Sequence, residues 1–493
     1  MSKAFSNQNT RGSSRGTSRC WLNLAVGLGV SAILLGSCAV GPNYKRPAVN
    51  APPNFRDATE ADTNTVADLP WWQVFQDETL QGLIRTALTN NYNLRIAIAR
   101  VEQAHAIAVQ SRLAFLPQLN YEASANRGKN AINGNAAFNH GAITNAFLIE
   151  GTASWEIDLW GRLRRLNEAA QAQYLASQEA RRDVRISLIS QVAQSYFQLL
   201  ALDQELDIAR RTTNSFAESL KIFGQRMRGG VVSKLETASA EALLDSTAAT
   251  VPELERQIAL QENEISVLLG QNPGPIIRNH KLLMEMLPPE VPVGLPSALL
   301  ERRPDIRENE QLLRSANAVV GVSVADFFPQ LSLTALFGQV SPQLSMLTAG
   351  GANAWNIGAD LAGPIFRGGQ LVSEYRQAKS VREQTMLQYQ FTVLNALQEV
   401  SNALIARQKY AEERIQLTRA VDAYRVAVQV ATQRYVSGLA SYYEVLQEQQ
   451  LLFPAENSLT ETELNQLLAV VQLYRSLGGG WQSENVQVPD GKK

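Results

Sequence analysis

Covalent chemistry has a single foothold in this sequence. Leu35-Gly36-Ser37-Cys38 sets a cysteine behind small residues at the end of the apolar run Trp21–Leu35. Residues 1–37 carry Lys3, Arg11, Arg15 and Arg19 and no acid. The run is too short for a spanning helix, and its basic flank marks a secretory signal. A thiol in that place accepts diacylglycerol before cleavage, so lipidation is expected at Cys38, with palmitate-type chains holding the mature N-terminus on a membrane. Ala39 follows in place of an aspartate, which favours passage to the outer membrane. Nothing else supports bond-making. His105, His140 and His280 have no ligand spacing, and there is no phosphate loop, dinucleotide fingerprint or nucleophile elbow. No enzyme activity, cofactor or metal site is expected. Cys20 lies in the signal, so no disulfide framework remains. With 45 Lys+Arg against 46 Asp+Glu there is no basic surplus for nucleic acid. No apolar run beyond Leu35 is long enough to make a helical membrane protein.

Physical work falls to two stretches that are versions of one another, Phe115–Gly161 and Phe327–Gly369. Each opens on Phe-x-Pro-Gln-Leu (Phe115 to Leu119, Phe327 to Leu331) and ends on a glycine that starts a long helical pattern. Leu119, Tyr121, Ala123 and Ala125 alternate with polar residues, as do Phe147, Ile149, Ala153, Trp155 and Ile157. The second copy sets Leu331, Leu333, Ala335 and Phe337 beside Trp355, Ile357, Ala359 and Leu361, and Leu148 and Leu336 break the pattern. A period of two is a strand with one apolar and one polar face. One such hairpin would fit a soluble α+β protein. Three features favour transmembrane strands: lengths near the ~9–11 residues that cross a bilayer, aromatics at the ends (Phe115, Trp160, Phe327, Phe328, Trp355, Phe366), and acids on the polar face. Glu150, Glu156, Asp158 and Asp360 suit a wet lumen better than a dry core. Tyr121, Phe147, Ile149, Trp155, Leu333 and Ile357 are then expected to face lipid. Four strands cannot close a barrel, whose minimum is about eight, so several chains must share one.

The duplication reaches further. Leu88–Ala106 aligns with Leu300–Ala318, and Gln225–Ser233 with Gln433–Ser441. The fold is therefore mainly α with transmembrane β, in two tandem repeats of helix, strand, strand, long helix and returning helix. Leu188, Val192, Ser195, Leu199, Leu202, Leu206, Ala209, Thr213, Phe216, Leu220 and Phe223 step four and three alternately, a coiled-coil seam. Ala240 to Leu268 and Leu417 to Tyr435 carry the same rule. Asp77 is the expected N-cap of a helix over Glu78–Ala114, and Pro252 and Pro454 are expected to kink the returning helices. The turns hold Gly229, Gly230, Val231 and Ser233 in one repeat and Gly438, Leu439 and Ser441 in the other. A plain helix-hairpin connection explains the glycines, while the matched apolar residues Val231, Val232 and Leu439 hint at docking.

The expected organisation is a signal over 1–37, a lipidated strap over 38–77, repeat 1 over 78–285, repeat 2 over 286–477 and a tail over 478–493. Membrane strands are placed at 117–127 and 145–159 in repeat 1 and at 329–339 and 354–362 in repeat 2. Long periplasmic helices are placed at 163–226 and 234–269, then at 370–435 and 441–476.

These stretches contain a family's motifs in order: Cys38-Ala39-Val40-Gly41-Pro42-Asn43-Tyr44-x-x-Pro47, Trp71-Trp72-x-x-Phe75-x-Asp77, Asp158-Leu159-Trp160-Gly161, Glu301-Arg302-Arg303-Pro304-Asp305, Pro364-Ile365-Phe366 and Leu477-Gly478-Gly479-Gly480-Trp481. The chain resembles the TolC-like outer-membrane efflux factors, and more closely their lipoprotein, NodT-type branch. The resemblance implies a homotrimer that shares one β-barrel, continued by an α-helical coiled-coil barrel in the periplasm. It implies a passive exit duct for small molecules, with the glycine turns docking a membrane-fusion adaptor that connects to an inner-membrane efflux pump of the RND type. Members of the family often carry acids just before the second tip. Arg425–Val436 holds none here, which leaves Asp422, Tyr424, Arg425 and Tyr435 as gate candidates. A non-conducting periplasmic coiled-coil lipoprotein scaffold is the alternative; it explains the heptads and the lipid but not strands with aromatic ends.

Overall fold

The computed structural model describes residues 39–49, 52–55, 70–129, 143–230, 233–278, 282, 296–348 and 350–479. The expected signal, Cys38, His140, His280, Val231, Val232 and Trp481 lie outside the described residues. The chain divides into two units: residues up to 45 with 105–172 and 313–384, and residues 46–104 with 173–312 and 385 onward.

In chain order the elements are α1 (Trp71–Val74), α2 (Glu78–Asn90), α3 (Tyr92–Leu113), β1 (Gln118–Lys129), β2 (Ile143–Ile157), α4 (Arg162–Arg228), α5 (Lys234–Ala248) and α6 (Thr250–Leu268). The second half repeats them as α7 (Leu299–Arg302), α8 (Pro304–Ala325), β3 (Gln330–Ser341), β4 (Asn353–Ala362), α9 (Gln370–Val436) and α10 (Tyr442–Ser476). The long helices α4 and α9 both have 67 residues, about 100 Å at about 1.5 Å per residue. Among the described residues no helix is long and apolar enough to cross a membrane.

The first unit is built on one antiparallel sheet in the order β1-β2-β3-β4. Its register brings every odd-numbered residue onto one face. Leu119 lies opposite Ala153, Ala153 opposite Ala335, and Ala335 opposite Ile357, so the apolar faces of all four strands coincide. Leu148, one of the two breaks in the alternation, lies opposite Val340 on the other face. Two tryptophans tie the base of the sheet. Trp155 Nε1 donates to the Phe115 carbonyl at 2.9 Å, and Trp160 Nε1 donates to the Pro329 carbonyl at 2.7 Å while its ring stacks on Phe328.

The second unit holds a core of Leu80, Ile84, Val192, Tyr196, Leu199, Val400, Val471, Tyr474 and their neighbours. Trp71 and Phe75 are buried in it, and Phe75 meets Phe197 and Tyr474 edge-on. Asp77 accepts from the Thr79 and Leu80 amides at 2.6 and 3.3 Å, and its other oxygen accepts from Tyr196 at 2.5 Å. The cap thus seats the helix as well as starting it. The single helix expected over Glu78–Ala114 is instead two. Asn91 leaves the helical conformation, its Oδ1 accepts from the Leu94 amide and its Nδ2 donates to the Leu268 carbonyl. That side chain offers the backbone an alternative to the helix ladder. Pro252 and Pro454 act differently from each other. Pro252 sits in the first turn of α6, and its missing N–H leaves the Ala248 carbonyl without its i+4 donor at the break between α5 and α6. α10 runs unbroken through Pro454.

Candidate functional site

The sheet presents two chemically different faces. On the apolar one Leu119, Tyr121, Ile357 and Leu361 are exposed, Tyr121 by 91%. On the other, Asn120, Glu122, Glu150, Thr152, Ser332 and Asp360 share a side, with Glu122 directly opposite Glu150. Like charges directly opposed across a ladder are unfavourable unless water screens them. Glu150 and Asp360 lie where the alternation puts them. Glu156 lies on the same face but is engaged, accepting from Arg162 at 3.0 and 2.6 Å. Asp158 is a correction to the expected set of lumen-facing acids. It stands one residue past β2, and its carboxylate accepts from the Leu163 and Arg164 amides and from the Arg164 guanidinium. It caps the long helix, because a carboxylate beside free N-terminal amides is worth more there than in solvent.

The residues that follow Cys38 are seated against this same junction. The Val40 amide donates to the Trp160 carbonyl at 3.0 Å. Gly161 adopts φ +81, and a Cβ on it would lie 2.6 Å from that of Ala39, so no larger residue fits. Arg165, almost fully buried, donates to the Val40 and Gly41 carbonyls and to Asn43 Oδ1, and pairs with Glu168. Asn317 on α8 donates to the Pro42 carbonyl, and Arg314 lies over the Tyr44 ring. In the second unit Arg46 pairs with Glu301 and, at 3.0 Å, with Glu310.

At the far ends of α4 and α9 the chain reverses through Gly230 (φ +70) and Gly438 (φ +73), a conformation costly for any residue with a Cβ. At the second reversal the Leu439 amide donates to the Arg434 carbonyl and the Gly438 amide to that of Tyr435, a Schellman closure. Gly229 donates to the Gln225 carbonyl at the first. Ser233 and Glu236 form a complete capping box, whereas Ser441 precedes α10 without a side-chain cap bond. Leu235, Leu439 and Tyr443 are largely exposed near the turns. Val231 lies outside the described residues.

The gate candidates separate into two groups. Tyr435 is buried in a ring cluster with Phe223 and Tyr442, with Arg226 over its face at 4.3 Å. It holds α4 to the second tip and is not a free gate side chain, since three aromatic surfaces exclude water more favourably together than apart. Arg425 is half-exposed and donates to Glu456 on α10 at 3.1 and 2.7 Å, with Asp422 at 3.5 Å on its own helix. Tyr424 is half-buried beside it. Glu456, which the sequence reading missed, is buried. Tyr442, Leu446, Gln449, Phe453, Glu456, Thr460, Glu463, Leu467, Val470 and Tyr474 step four and three alternately, so acids on a seam were the signal. Among the described residues no group of three or more His, Cys, Asp or Glu side chains converges as a metal site would.

A second charged cluster lies in the same unit. Burial pushes the Glu308 carboxyl up to about 7, with Asp183, Asp305 and Glu179 adding to the shift, and burial raises Asp183 as well.

Comparison with known proteins agrees with this geometry. A family model described as outer membrane efflux protein matches residues 83–271 and 295–479, one segment in each repeat. The toluene efflux pump outer membrane protein TtgC of Pseudomonas putida is 34% identical, the match covering 93% of this chain and 96% of that protein. The cation efflux system protein CusC of Escherichia coli is 32% identical over 92% of this chain and 97% of that protein. Among solved structures, the open state of the Neisseria gonorrhoeae MtrE outer membrane channel superposes with a TM-score of 0.81 at 29% identity, covering 90% of this chain and 98% of that one. The outer-membrane channel OprN reaches 0.83 at 31% identity, covering 90% and 100%.

Proposed function

Because this chain belongs to the outer membrane efflux protein family and is an outer-membrane channel component of an efflux pump, we propose that three copies join their sheets into one barrel that serves as the pump's passive exit duct. The observation that carries this reading is the sheet itself. It has one exposed apolar face continuous over four strands, a polar face with Glu150 and Asp360, and, among the described residues, no strand paired to the outer edge of β1 or of β4. Lipid covers the apolar face, water fills the polar side, and closure removes the edges. The chain supplies no energy; small molecules move under the drive of an inner-membrane pump, delivered through a periplasmic adaptor. The test is planar-bilayer recording of the purified protein. Discrete, long-lived conductance steps are expected, and a protein that leaves the bilayer silent would instead be a scaffold.

The lipoprotein assignment belongs to the same proposal. The close seating of Ala39 and Val40 at the base of β2 supports it, because acyl chains on Cys38 would then start beside the barrel wall. Mass spectrometry of the mature N-terminal peptide should find Cys38 acylated. Tips bearing Gly229, Gly230, Val231, Ser233, Gly438, Leu439 and Ser441 are proposed to dock the adaptor. The exposure of Leu439 by 74% supports this, since a bare turn needs no apolar side chain there. Leu439→Asp should leave the trimer intact on native gels while adaptor capture falls. Of the gate candidates, Asp422, Tyr424 and Arg425 remain in the proposal, with Arg425 held by Glu456 in the conformation described.

A further inference from the structure

The apolar face of the sheet is not level. Tyr121, Gly151, Phe337 and Trp355 stand opposite one another across the four strands, and the next row is Leu119, Ala153, Ala335 and Ile357. Gly151, Ala153 and Ala335 thus lie between large side chains, and they floor a groove of about 540 Å³. Its walls are tall, with Leu119 79% exposed on one side and Phe337 and Ile357 70% and 76% exposed on the other. The neighbouring rows carry large side chains again, Ile149 on one side and Trp155 with Leu333 towards the base.

Gly151 calls for a cause, because glycine inside a strand weakens it and often marks a bulge or a place where a ligand or another backbone comes close. The ladder runs unbroken through Tyr121, Gly151 and Phe337, which excludes a bulge. Its φ is not positive, and a Cβ on it would meet only two ladder carbonyls, at 3.8 and 3.9 Å. Gly338 is different, for a Cβ there would lie 2.4 Å from the Ile149 carbonyl oxygen and 2.5 Å from the Glu150 Cβ. What Gly151 preserves is open space on the apolar face.

The chain brings an occupant to the right end of the sheet. Ala39 packs on Gly161, and the Val40 amide donates to the Trp160 carbonyl, so Cys38 is bonded to a residue seated at the foot of β2. Depth agrees with this. On a strand tilted about 45°, each residue of about 3.4 Å changes depth by about 2.4 Å. Gly151 stands six residues before Ile157, the last of β2, and so lies about 14 Å into the apolar layer. An acyl chain spans one leaflet, about half of a ~30 Å hydrocarbon core. One that starts at the foot of β2 therefore reaches the row of Gly151.

We propose that this groove seats an acyl chain carried by Cys38; this rests on the lipidation and the shared barrel proposed above. The ligand is an unbranched hydrocarbon chain, matched by a floor of small residues and walls of apolar side chains. Filling the groove restores the dispersion contacts that the small residues leave unmade. It also holds the mature N-terminus against the barrel wall, where Ala39 and Val40 are already seated.

Photocross-linking in the native membrane tests this. Cells fed a fatty acid with a diazirine near its methyl end build it into lipoproteins and phospholipids alike. After irradiation, the full-length protein is purified and its proteolytic peptides are read by mass spectrometry. The expected product joins the peptide holding Gly151 and Ala153, through the acyl chain, to the peptide that begins at Cys38. Gly151→Leu with Ala153→Leu fills the groove and should lower that product at least tenfold in protein that native gels show to be trimeric. Ala335→Leu fills it from β3 and should also lower the product, should the double variant fail to assemble. A β2 peptide joined only to phospholipid would overturn the proposal and leave the lipidation standing, as would a Cys38 acyl chain joined only to peptides outside the sheet. A product undiminished in assembled filling variants would overturn it too. An unacylated residue 38 would overturn both the groove's occupant and the lipoprotein reading.

Discussion

Where its hairpin leaves the sheet, repeat 1 is closed over and repeat 2 is bare. At the first exit Asp158 caps α4, Trp160 stacks on Phe328, and Ala39 presses against Gly161. At the second, Ile365 and Phe366 stand exposed, and a Cβ on Gly368 or Gly369 would meet nothing within 4 Å. The backbones differ little, with equal hairpin registers and long helices of 67 residues each. The difference follows from what lies next in space. Repeat 1 exits against β3 of its own chain, whereas repeat 2 exits at the sheet edge where, in the proposed barrel, the next copy begins. At this exit the exposed apolar side chains thus mark a missing neighbour, and the repeat that contains its neighbour shows what the contact looks like.

The largest expected effect tests whether the two repeats share one apolar face. Ile149→Arg and its repeat-2 counterpart Ile357→Arg should each cost about 2–4 kcal/mol near mid-bilayer and deplete the trimer on native gels. Thr152→Arg, on the opposite face of the same strand, should preserve the trimer and change conductance. Equal losses at 149 and 152 would break the assignment of faces.

A smaller effect sharpens the contrast between the tips. Ser233→Ala removes a capping box and should destabilise the start of α5 by about 1 kcal/mol, seen as faster hydrogen exchange in its first turn. Ser441→Ala removes no cap bond, and its effect should stay within about 0.5 kcal/mol. Matching losses would mean that the second cap forms in solution after all.

The smallest effect at acid pH concerns Glu308, a carboxyl with no counterpart in repeat 1, for the residue 212 before it is Ile96. The folded Glu308 carboxyl titrates at about 7, above its ordinary value of 4.5, because of burial and then Asp183, Asp305 and Glu179. A raised carboxyl favours the protonated folded state. Its contribution is complete below about 4.5, where both states hold the proton, and is lost as pH rises through about 7. Glu308→Gln should therefore melt higher than the parent at pH 8 and at nearly the same temperature near pH 4. A difference that did not grow with pH would assign the effect to packing alone.

Much of the architecture was legible because its signals are local. A period of two in Leu119 to Ala125 and of 3.5 in Leu188 to Phe223 depends on neighbours a few residues away, and the repeat doubles each signal. Val192, Leu199 and Ala209 are fully buried along that seam. The site was legible only in part. Tyr435 offered no local sign that Phe223 and Tyr442 would enclose it, and the Arg425–Glu456 pair joins residues on two different helices.

The sequence by itself determined which residues share a face, where the chain reverses and that the unit is duplicated, since strand pleat, helix pitch and glycine's freedom at positive φ are properties of short segments. Tertiary structure alone decided the rest. It chose Asp158 as a helix cap because α4's free amides stand within reach, and broke the first helix at Asn91 because the Leu268 carbonyl accepts its side chain. It also set β2 against β3 in an alignment that lays four apolar faces on the same side, since a slip of one residue would turn one hairpin's apolar face to the other's polar face.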